Sequence, residues 1–237
     1  MGKIHSLQTM GLVDGPGIRS VVFFQGCKLR CAYCHNPDTW DPNRGQEITA
    51  EELVQRLIRF RPYYQKSGGG VTCSGGEPLL QPEFLLELLR LCRENGIHTA
   101  LDTSGVGLGD YEDILAATDL VILDLKHSEP AGFQALTGGD MAKLQEFIEA
   151  LNKTAVPVWI RHVVVPGFTD NELHLKRLKK IIATIKNVEK VELLPYHQMG
   201  VYKYRELGYP NRLQDVPPLS EEKFREIEKK FYQDKGK

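Results

Sequence analysis

The sequence predicts an α/β fold with a parallel sheet, and two observations support this prediction. Six apolar or β-branched segments typical of strands alternate with helical patterns along the 237 residues. Polar residues and glycines follow these segments, as they do where loops after parallel strands share one rim. The predicted strands are residues 20–25, 71–74, 97–103, 120–125, 156–165 and 190–195. Six units are too few for a closed eight-stranded barrel, so an open doubly wound sheet and a partial barrel both stay possible.

Capping-box pairs predict where two of the intervening helices begin. Thr49 is followed by Glu52, and Thr169 is followed by Glu172, each ahead of apolar residues at helical spacing. A last helix is predicted over about 220–233 from the same periodicity.

The chain is expected to form one domain over residues 1–237, with a core of about 15–237. Residues 196–219 carry three prolines and no clear period, which predicts an irregular loop or lid. Three consecutive glycines, Gly68–Gly70, fall on the rim opposite the polar loops and are interpreted as a flexible connector.

Composition narrows the class of protein. Hydrophobic residues make up 41% and charged residues 26%, values ordinary for a globular chain. A net charge of −1 offers no basic field for DNA or RNA, so no nucleic-acid partner is expected. No apolar run approaches the ~20 residues of a membrane span, and no signal peptide is recognised. We therefore expect a cytoplasmic protein with no membrane partner.

Three cysteines lie within eight residues, and they pose the central functional question. Cys27, Cys31 and Cys34 have the spacing C-x3-C-x2-C in the loop after the first strand. A structural zinc site takes four ligands, but Cys73 and Cys92 lie on a strand and an apolar helix face. A 4Fe-4S cluster held by three thiolates leaves one iron for an external ligand and fits better. A zinc-binding structural protein stays the alternative.

The fourth strand brings opposite charges to one side. Because side chains alternate along a strand, Leu120, Ile122, Asp124 and Lys126 are expected to share one face. A carboxylate and an amine then converge at the end of the strand, where they could bind a ligand. A salt bridge that fills the mouth of a barrel is the alternative interpretation.

These motifs resemble a known family. The triple-cysteine spacing with Tyr33 before the third cysteine, and Gly75-Gly76-Glu77-Pro78 after the second strand, are typical of radical S-adenosylmethionine (radical SAM) enzymes. The stretches DGPGIR, FFQGC, YCHNPDTW, SGGGVT, LDTSG, DLVILDLK, RHVVVPG and LLPYH are similar to glycyl-radical activating enzymes within that superfamily. No ferredoxin-like insert with further cysteine clusters follows the first motif.

The resemblance implies a partial (β/α)6 TIM-like barrel with a 4Fe-4S cluster and S-adenosylmethionine (SAM) as cofactors. It also implies pyruvate formate-lyase as the protein substrate, a flavodoxin or ferredoxin as electron donor, and a monomer. An activase of another glycyl-radical enzyme and a different radical SAM enzyme are the alternatives within the superfamily. Glu77 could instead cap the helix that follows it.

The resemblance also assigns roles to residues. It implies that the catalytic cluster is bound by Cys27, Cys31 and Cys34. The SAM contacts it implies are Tyr33, Cys34, His35, Gly76, Asp124, Leu125, Lys126 and His197. A monovalent cation, Na⁺ or K⁺, is expected beside SAM at Asp102, Thr103, Asp124 and the Ile122 carbonyl. Asp14 and Arg161 are the candidates for holding the glycine loop of the protein substrate, and Arg161 could equally be a structural bridge.

Overall fold

Parallel strands that end at one rim organise the molecule. The computed structural model describes residues 1–233, and within them one open sheet has the order β3-β1-β2-β4-β5-β6-β7-β8. The strands are β1 (Gly2–Gly11), β2 (Arg19–Phe24), β3 (Gln46–Ile48), β4 (Gly70–Gly75), β5 (His98–Thr103), β6 (Leu120–Asp124), β7 (Val158–Val164) and β8 (Val188–Pro195). The strands β2 and β4–β8 pair in parallel, which confirms the six predicted strands. The fold is a partial (β/α)6 barrel that does not close.

Two antiparallel strands extend the sheet beyond the predicted six. β1 pairs with β2 on one side and with β3 on the other. Of the ten residues in β1, only Gly2 and Ile4 are buried, so the strand has no alternating apolar pattern. The sequence prediction missed both strands because an edge strand that buries little side-chain area carries little periodic signal.

Nine α-helices are present in residues 1–233, and none is long and apolar enough to cross a membrane. They are α1 (Ala50–Ile58), α2 (Arg61–Ser67), α3 (Pro82–Glu94), α4 (Glu112–Ala116), α5 (Pro130–Thr137), α6 (Met141–Leu151), α7 (Glu172–Ile182), α8 (Val201–Leu207) and α9 (Glu221–Gln233). The capping box of Thr49 and Glu52 is confirmed at the start of α1. The second predicted capping box is wrong, because Asn171 caps α7 while the Thr169 hydroxyl bonds to the backbone of the preceding loop.

The two faces of the central strands differ in chemistry. Val121, Leu123 and Leu125 belong to the main core, which packs the outer face of the sheet against the helices. On the inner face, Ala100, Leu120 and Ile122 form a small apolar cluster against Trp159. The next inward-facing positions toward the strand ends are Asp102, Asp124 and Arg161. The alternation predicted for the fourth strand therefore places an apolar layer below a charged layer.

The sequence predicted an irregular loop or lid over residues 196–219, but part of this segment is helical. It contains α8, and Tyr204 on this helix is buried. A Cβ atom on Gly200 would lie only 2.8 Å from the Cα atom of His35, so the backbones of the two segments are in close contact. The segment packs against the cysteine loop, and the short helix carries too few apolar residues to give a clear period.

The triple glycine is closely packed, which corrects its interpretation as a flexible connector. A Cβ atom on Gly69 would lie 1.9 Å from the Ile18 carbonyl oxygen, and one on Gly70 would lie 2.0 Å from the His98 carbonyl oxygen. Gly68 ends α2 in the left-handed conformation, with nothing within 4 Å of its Cβ position. These glycines allow three backbone segments to approach each other at the amino ends of the strands.

Adjacent glycines provide a test of this packing. Gly69→Ala is expected to destabilise the protein by ~1–3 kcal/mol, because the new methyl group overlaps a backbone oxygen that cannot move freely. Gly68→Asn should be near neutral, since Asn tolerates the left-handed region and its Cβ enters open space. The thermal midpoint followed by circular dichroism measures both. Equal midpoints for the two variants would contradict the packing argument.

Candidate active site

A cavity of about 540 Å³ opens at the carboxyl ends of the parallel strands. It brings together side chains from loops that are far apart in sequence, which is the usual position of an active site in parallel α/β folds. The predicted site residues that line it are Cys27, Cys31, Tyr33, Cys34, His35, Gly76, Asp102, Thr103, Asp124, Lys126, Arg161 and His197. Asp14, Ile122 and Leu125 do not line it.

The cysteine loop is held in place by backbone contacts to other elements. The Ala32 amide donates to the Leu136 carbonyl at 2.9 Å, near the end of α5. The Tyr204 hydroxyl on α8 donates to the Cys34 carbonyl, also at 2.9 Å. Buried backbone groups are thus paired on both sides of the loop, which fixes the position of the cysteines on the cavity wall.

The three thiols are at least half-buried and form no disulfide. Burial raises the pKa of Cys31 to about 12, and it also raises the pKa values of Cys27 and Cys34. A metal binds the thiolate, so loading such a site must release protons from these groups. Within residues 1–233, no three His, Cys, Asp or Glu side chains are placed around a single metal ion. An iron–sulfur cluster does not need that convergence, because each cysteine binds a different iron.

Lys126 faces the cavity as part of an ion pair. Its ammonium group contacts the Asp124 carboxylate and lies 5.7 Å from the centre of the Tyr33 ring. Burial disfavours the charged ammonium, but the charge and hydrogen bond of Asp124, together with Tyr33 and Cys31, raise the pKa of Lys126 well above its usual value. The salt bridge considered from the sequence is therefore present, and it lines the cavity instead of filling it.

Two carboxylates share the floor of the cavity. Asp102 accepts a hydrogen bond from the Ser74 hydroxyl at 2.6 Å, and burial raises its pKa while the Arg161 charge opposes that shift. The Oδ1 atom of Asp124 is buried and has no hydrogen-bond partner in residues 1–233. A buried acceptor without a partner is rare in native proteins unless a ligand or water binds there.

Arg161 is a structural bridge as well as a cavity residue. Its Nε atom donates to Glu192 at 3.1 Å, and its Nη2 atom donates to the Val13 carbonyl in the loop after β1. Asp14, next in that loop, is oriented outside the cavity, and its carbonyl accepts from the Thr72 hydroxyl at 2.6 Å. Burial raises the pKa of Asp14, and Arg161 and Arg19 oppose this.

His35 and His197 form a stacked pair at the mouth of the cavity. Their ring centres are 4.2 Å apart with an angle of 28° between the planes, and the Nε2 atom of His35 donates to the His197 carbonyl at 3.3 Å. Burial lowers the pKa of His35, which favours the neutral ring. The buried Nδ1 atom of His197 has no partner in the described residues. A flat apolar surface with a polar atom at its edge suits an aromatic ring system.

Glu77 has a different role from its neighbour Gly76. Gly76 lines the cavity, and a Cβ atom there would lie 2.3 Å from the Gly26 carbonyl oxygen. Glu77 is turned away and buried, and it accepts hydrogen bonds from the Thr103 hydroxyl at 2.6 Å and the Ser104 amide at 2.9 Å. It also caps the short helical turn after β4 by accepting from the Leu79 amide. Glu77 therefore caps this short turn and not α3, which begins after Gln81, and it joins the loops after β4 and β5.

Leu125 lies behind the cavity wall. Its side chain belongs to the main core, its amide donates to the Arg161 carbonyl at 2.9 Å, and its carbonyl accepts from His162 at 2.6 Å. Both main-chain groups are paired within the protein, and Leu125 does not line the cavity. The resemblance assigned it to the SAM site, but only Asp124 and Lys126 on either side reach the cavity.

The sequence interpretation overlooked several residues on the cavity wall. Ser74 bonds to Asp102, Trp40 lies beside the cysteines, and Tyr196 has a buried hydroxyl without a partner in residues 1–233. Ser74 lies near the end of β4 and Tyr196 directly follows β8, and these positions at the rim could have identified them. Trp40 carried no comparable signal because it approaches the site through the fold of the cysteine loop.

Comparison with known proteins identifies the class of protein that this fold and site define. The sequence profile of the radical SAM superfamily matches residues 21–178. A radical SAM methyltransferase from Sphaerobacter thermophilus superposes with a TM-score of 0.64 over 100% of this chain and 76% of that chain, at 16% identity, which shows a shared fold. The chain belongs to the radical SAM superfamily.

Closer relatives define the branch. The pyruvate formate-lyase-activating enzyme of Clostridium pasteurianum is 56% identical over 97% of this chain and 96% of its own length. A domain of the enzyme of the same name from Bacteroides vulgatus superposes with a TM-score of 0.55 at 26% identity, over 70% of this chain and 94% of that chain. Within the superfamily, the chain is a member of the pyruvate formate-lyase-activating enzyme family.

The cavity fits the cofactors that this family implies, a 4Fe-4S cluster and SAM. Its donor set contains three thiols and no fourth cysteine, so a cluster bound there keeps an iron position for another ligand. The cavity walls also carry buried polar atoms without partners in residues 1–233, which a polar ligand such as SAM would satisfy. These atoms are the hydroxyls of Tyr33 and Tyr196, Oδ1 of Asp124 and Nδ1 of His197.

Replacing Glu77 tests its role in joining the loops. Glu77→Gln replaces one carboxylate oxygen with an NH2 group, which would then face a hydrogen-bond donor of the protein. This change should destabilise the protein by ~1–3 kcal/mol. Amide exchange of Ser104 should accelerate, because its main-chain bond to Glu77 is weakened. Glu83→Gln, an exposed change in the first turn of α3, is the control. Unchanged protection of the Ser104 amide in the Glu77 variant would exclude this role.

Proposed function

We propose that this protein activates pyruvate formate-lyase under anaerobic conditions by generating a glycyl radical on it. The single observation that carries the proposal is a cavity at the barrel rim that combines three cysteines with unpaired buried polar atoms. Relatives that share about half of the sequence bear the name of this activity and support the choice of substrate. The activity belongs to the oxidoreductases.

The chain supplies a shaped site, and the reactive groups come from the cofactors. The chemistry that the cluster and SAM supply when bound is a one-electron reductive cleavage, which yields a 5′-deoxyadenosyl radical able to remove the Cα hydrogen of a glycine. Cys27, Cys31 and Cys34 would hold the cluster as the catalytic ligands. With no fourth thiolate, one iron position stays available to the amino and carboxylate groups of SAM.

Residues on the opposite wall would orient SAM. Lys126 would pair with the SAM carboxylate as a compact charge while Asp124 stabilises its protonated form. Gly76 would offer main-chain groups to the SAM amino group. Tyr33, the backbone at Cys34 and the stacked His35 and His197 would contact the adenosine part. Leu125 would contribute to the SAM site only by holding Asp124 and Lys126 in place, since its main-chain groups are paired within the protein.

A monovalent cation, Na⁺ or K⁺, forms part of the proposal. Asp102 and Asp124 both line the cavity, and the unpaired Oδ1 atom of Asp124 is available to such an ion. The Thr103 hydroxyl is already bonded to Glu77 and to the Gly105 amide, so Thr103 would contribute mainly through its carbonyl. The Ile122 carbonyl is the fourth proposed ligand.

The proposal extends to the cellular setting. A flavodoxin or ferredoxin would deliver the electron, and the protein would act as a monomer in the cytoplasm. The cysteines in the described residues are all free thiols, which suits a reducing compartment.

Cysteine variants test the cluster and the reaction together. Cys31→Ala should lose iron and sulfide, SAM cleavage, and the glycyl-radical signal in electron paramagnetic resonance after anaerobic incubation with reductant, SAM and pyruvate formate-lyase. Cys92→Ala removes a thiol buried on α3 and should retain all of them, with a modest loss of stability. Full iron and sulfide content in Cys31→Ala would contradict the assignment of Cys31 as a cluster ligand. A loaded wild-type protein that leaves pyruvate formate-lyase without a radical, but activates another glycyl-radical enzyme, would overturn the substrate.

A second test concerns the proposed substrate-loop residues Asp14 and Arg161. Alanine variants of both should bind SAM normally and bind a peptide of the substrate's glycine loop more weakly, by about tenfold. Glu192→Gln is the matched control, since it removes the negative charge that pairs with Arg161 and lies outside the cavity lining. If Glu192→Gln lowers the affinity for the peptide as much as Arg161→Ala does, Arg161 is only a structural bridge. Wild-type peptide affinity in Asp14→Ala would remove that residue from the site.

A further inference from the structure

A chain of buried side chains supports the turn after β6 from behind the cavity wall. The Nδ1 atom of His162 on β7 lies 2.6 Å from the Leu125 carbonyl oxygen. Its Nε2 atom lies 3.2 Å from Nε2 of His174 on α7, and Nδ1 of His174 lies 3.0 Å from the Ser128 hydroxyl. His162, His174 and Ser128 are all buried, with exposures of 0%, 3% and 8%. The chain thus connects the end of β6 to β7, α7 and the loop before α5.

The acceptor at one end fixes the direction of every hydrogen bond in this chain. A carbonyl only accepts, so His162 must carry a proton on Nδ1. Its Nε2 atom, in the neutral ring, then accepts from the Nε2 proton of His174. The remaining Nδ1 atom of His174 accepts from the Ser128 hydroxyl. One tautomer of each ring satisfies all three contacts.

The surroundings of the two rings favour these neutral forms. Burial lowers the pKa of His162 to about 4 and that of His174 to about 3, and the charges of Lys126 near His162 and Arg177 near His174 act in the same direction. His127 packs edge-on against His174 with 4.5 Å between ring centres, and its Nδ1 atom accepts from the Glu129 amide. No carboxylate forms a hydrogen bond with either ring within residues 1–233, and the Leu125 carbonyl and the Asp124 charge raise the pKa of His162 less than burial lowers it.

The turn held in this way carries two cavity residues. Leu125 separates Asp124 from Lys126, and the side chains of these neighbours line the cavity and contact each other. Its amide is held by the Arg161 carbonyl, so His162 provides the second main-chain restraint. We propose that His162 is a positioning residue: held in its Nδ1–H tautomer by His174 and Ser128, it fixes the Leu125 carbonyl and with it the directions of Asp124 and Lys126. This inference rests on the proposed function, in which those two side chains orient SAM.

Nitrogen NMR of the imidazole rings tests the tautomers directly. The sample is the cluster-loaded protein with ¹⁵N-labelled histidine at neutral pH, with resonances assigned from single His variants. His162 is expected to be protonated on Nδ1 and His174 on Nε2. An Nε2–H tautomer at His162 overturns the inference, whatever the activity of the protein. This measurement does not depend on which enzyme is activated.

Kinetics with matched variants test the positioning role. His162→Phe keeps an aromatic ring but removes the bond to Leu125, and the KM for SAM is expected to rise about tenfold with little change in kcat or iron content. His162→Asn should recover most of the lost affinity, because its amide nitrogen occupies nearly the position of Nδ1 and can donate to the same carbonyl. Ser128→Ala, which removes only the far end of the chain, should cause a smaller rise in KM in the same direction.

The outcomes separate this inference from the proposed function. Wild-type protein that carries a cluster but cleaves no SAM would count against the function, independently of His162. Normal SAM cleavage with an unchanged KM in His162→Phe overturns the positioning role alone. If His162→Phe loses its cluster, Ser128→Ala becomes the deciding variant. An unchanged KM for SAM in Ser128→Ala would reject the inference, and so would an Nε2–H tautomer at His162. A rise in KM that His162→Asn does not reverse would indicate general damage instead of a lost hydrogen bond.

Discussion

The charged layer at the carboxyl ends of the strands is the constraint on which the rest of the site depends. Charges removed from water are strongly unfavourable unless they are paired and hydrogen-bonded. Asp102, Asp124, Lys126 and Arg161 meet this condition together, since two carboxylates face two cations across the cavity floor. A small apolar cluster lies beneath them, with the partly buried Trp159 packed against it. The cavity is therefore a polar site on an apolar base, and ligand groups placed there would be less screened by solvent than at the surface.

The loops around this layer are braced against each other instead of being left mobile. Glu77 connects the loops after β4 and β5, and Tyr204 ties α8 to the cysteine loop. The histidine chain does the same for the turn after β6. A site built on rigid support loses little conformational entropy when a ligand binds, which matters for chemistry that needs a reactive intermediate confined at a fixed position. The loop that holds Asp14 joins this framework through Arg161 and Thr72.

Sequence patterns predicted what depends on local periodicity and failed where tertiary contacts decide. The six parallel strands and the inward direction of Asp124 follow from alternation, and both are confirmed. Thr169 could not be distinguished from Asn171 as a cap, because both residue types favour that position and only the packed loop selects one. The burial of Glu77 beside hydrogen-bond donors could not be predicted from the sequence either, since its partners come from a strand end 26 residues away. The close approach of backbones at Gly69 likewise depends on a chain segment 51 positions earlier, at Ile18.

The burial of the three thiols adds to what their spacing in the sequence indicates. The spacing of the cysteines indicated a site with an open position, and their burial adds a condition that the spacing does not contain. Desolvation favours the neutral thiols, so an empty site has no unpaired thiolate charge to stabilise. Cys27, Cys31 and Cys34 would hold a cluster as thiolates, so each thiol would have to lose its proton when a cluster binds. The burial that keeps the free thiols neutral would also strengthen the attraction between their thiolates and a bound cluster, so the same burial suits both forms.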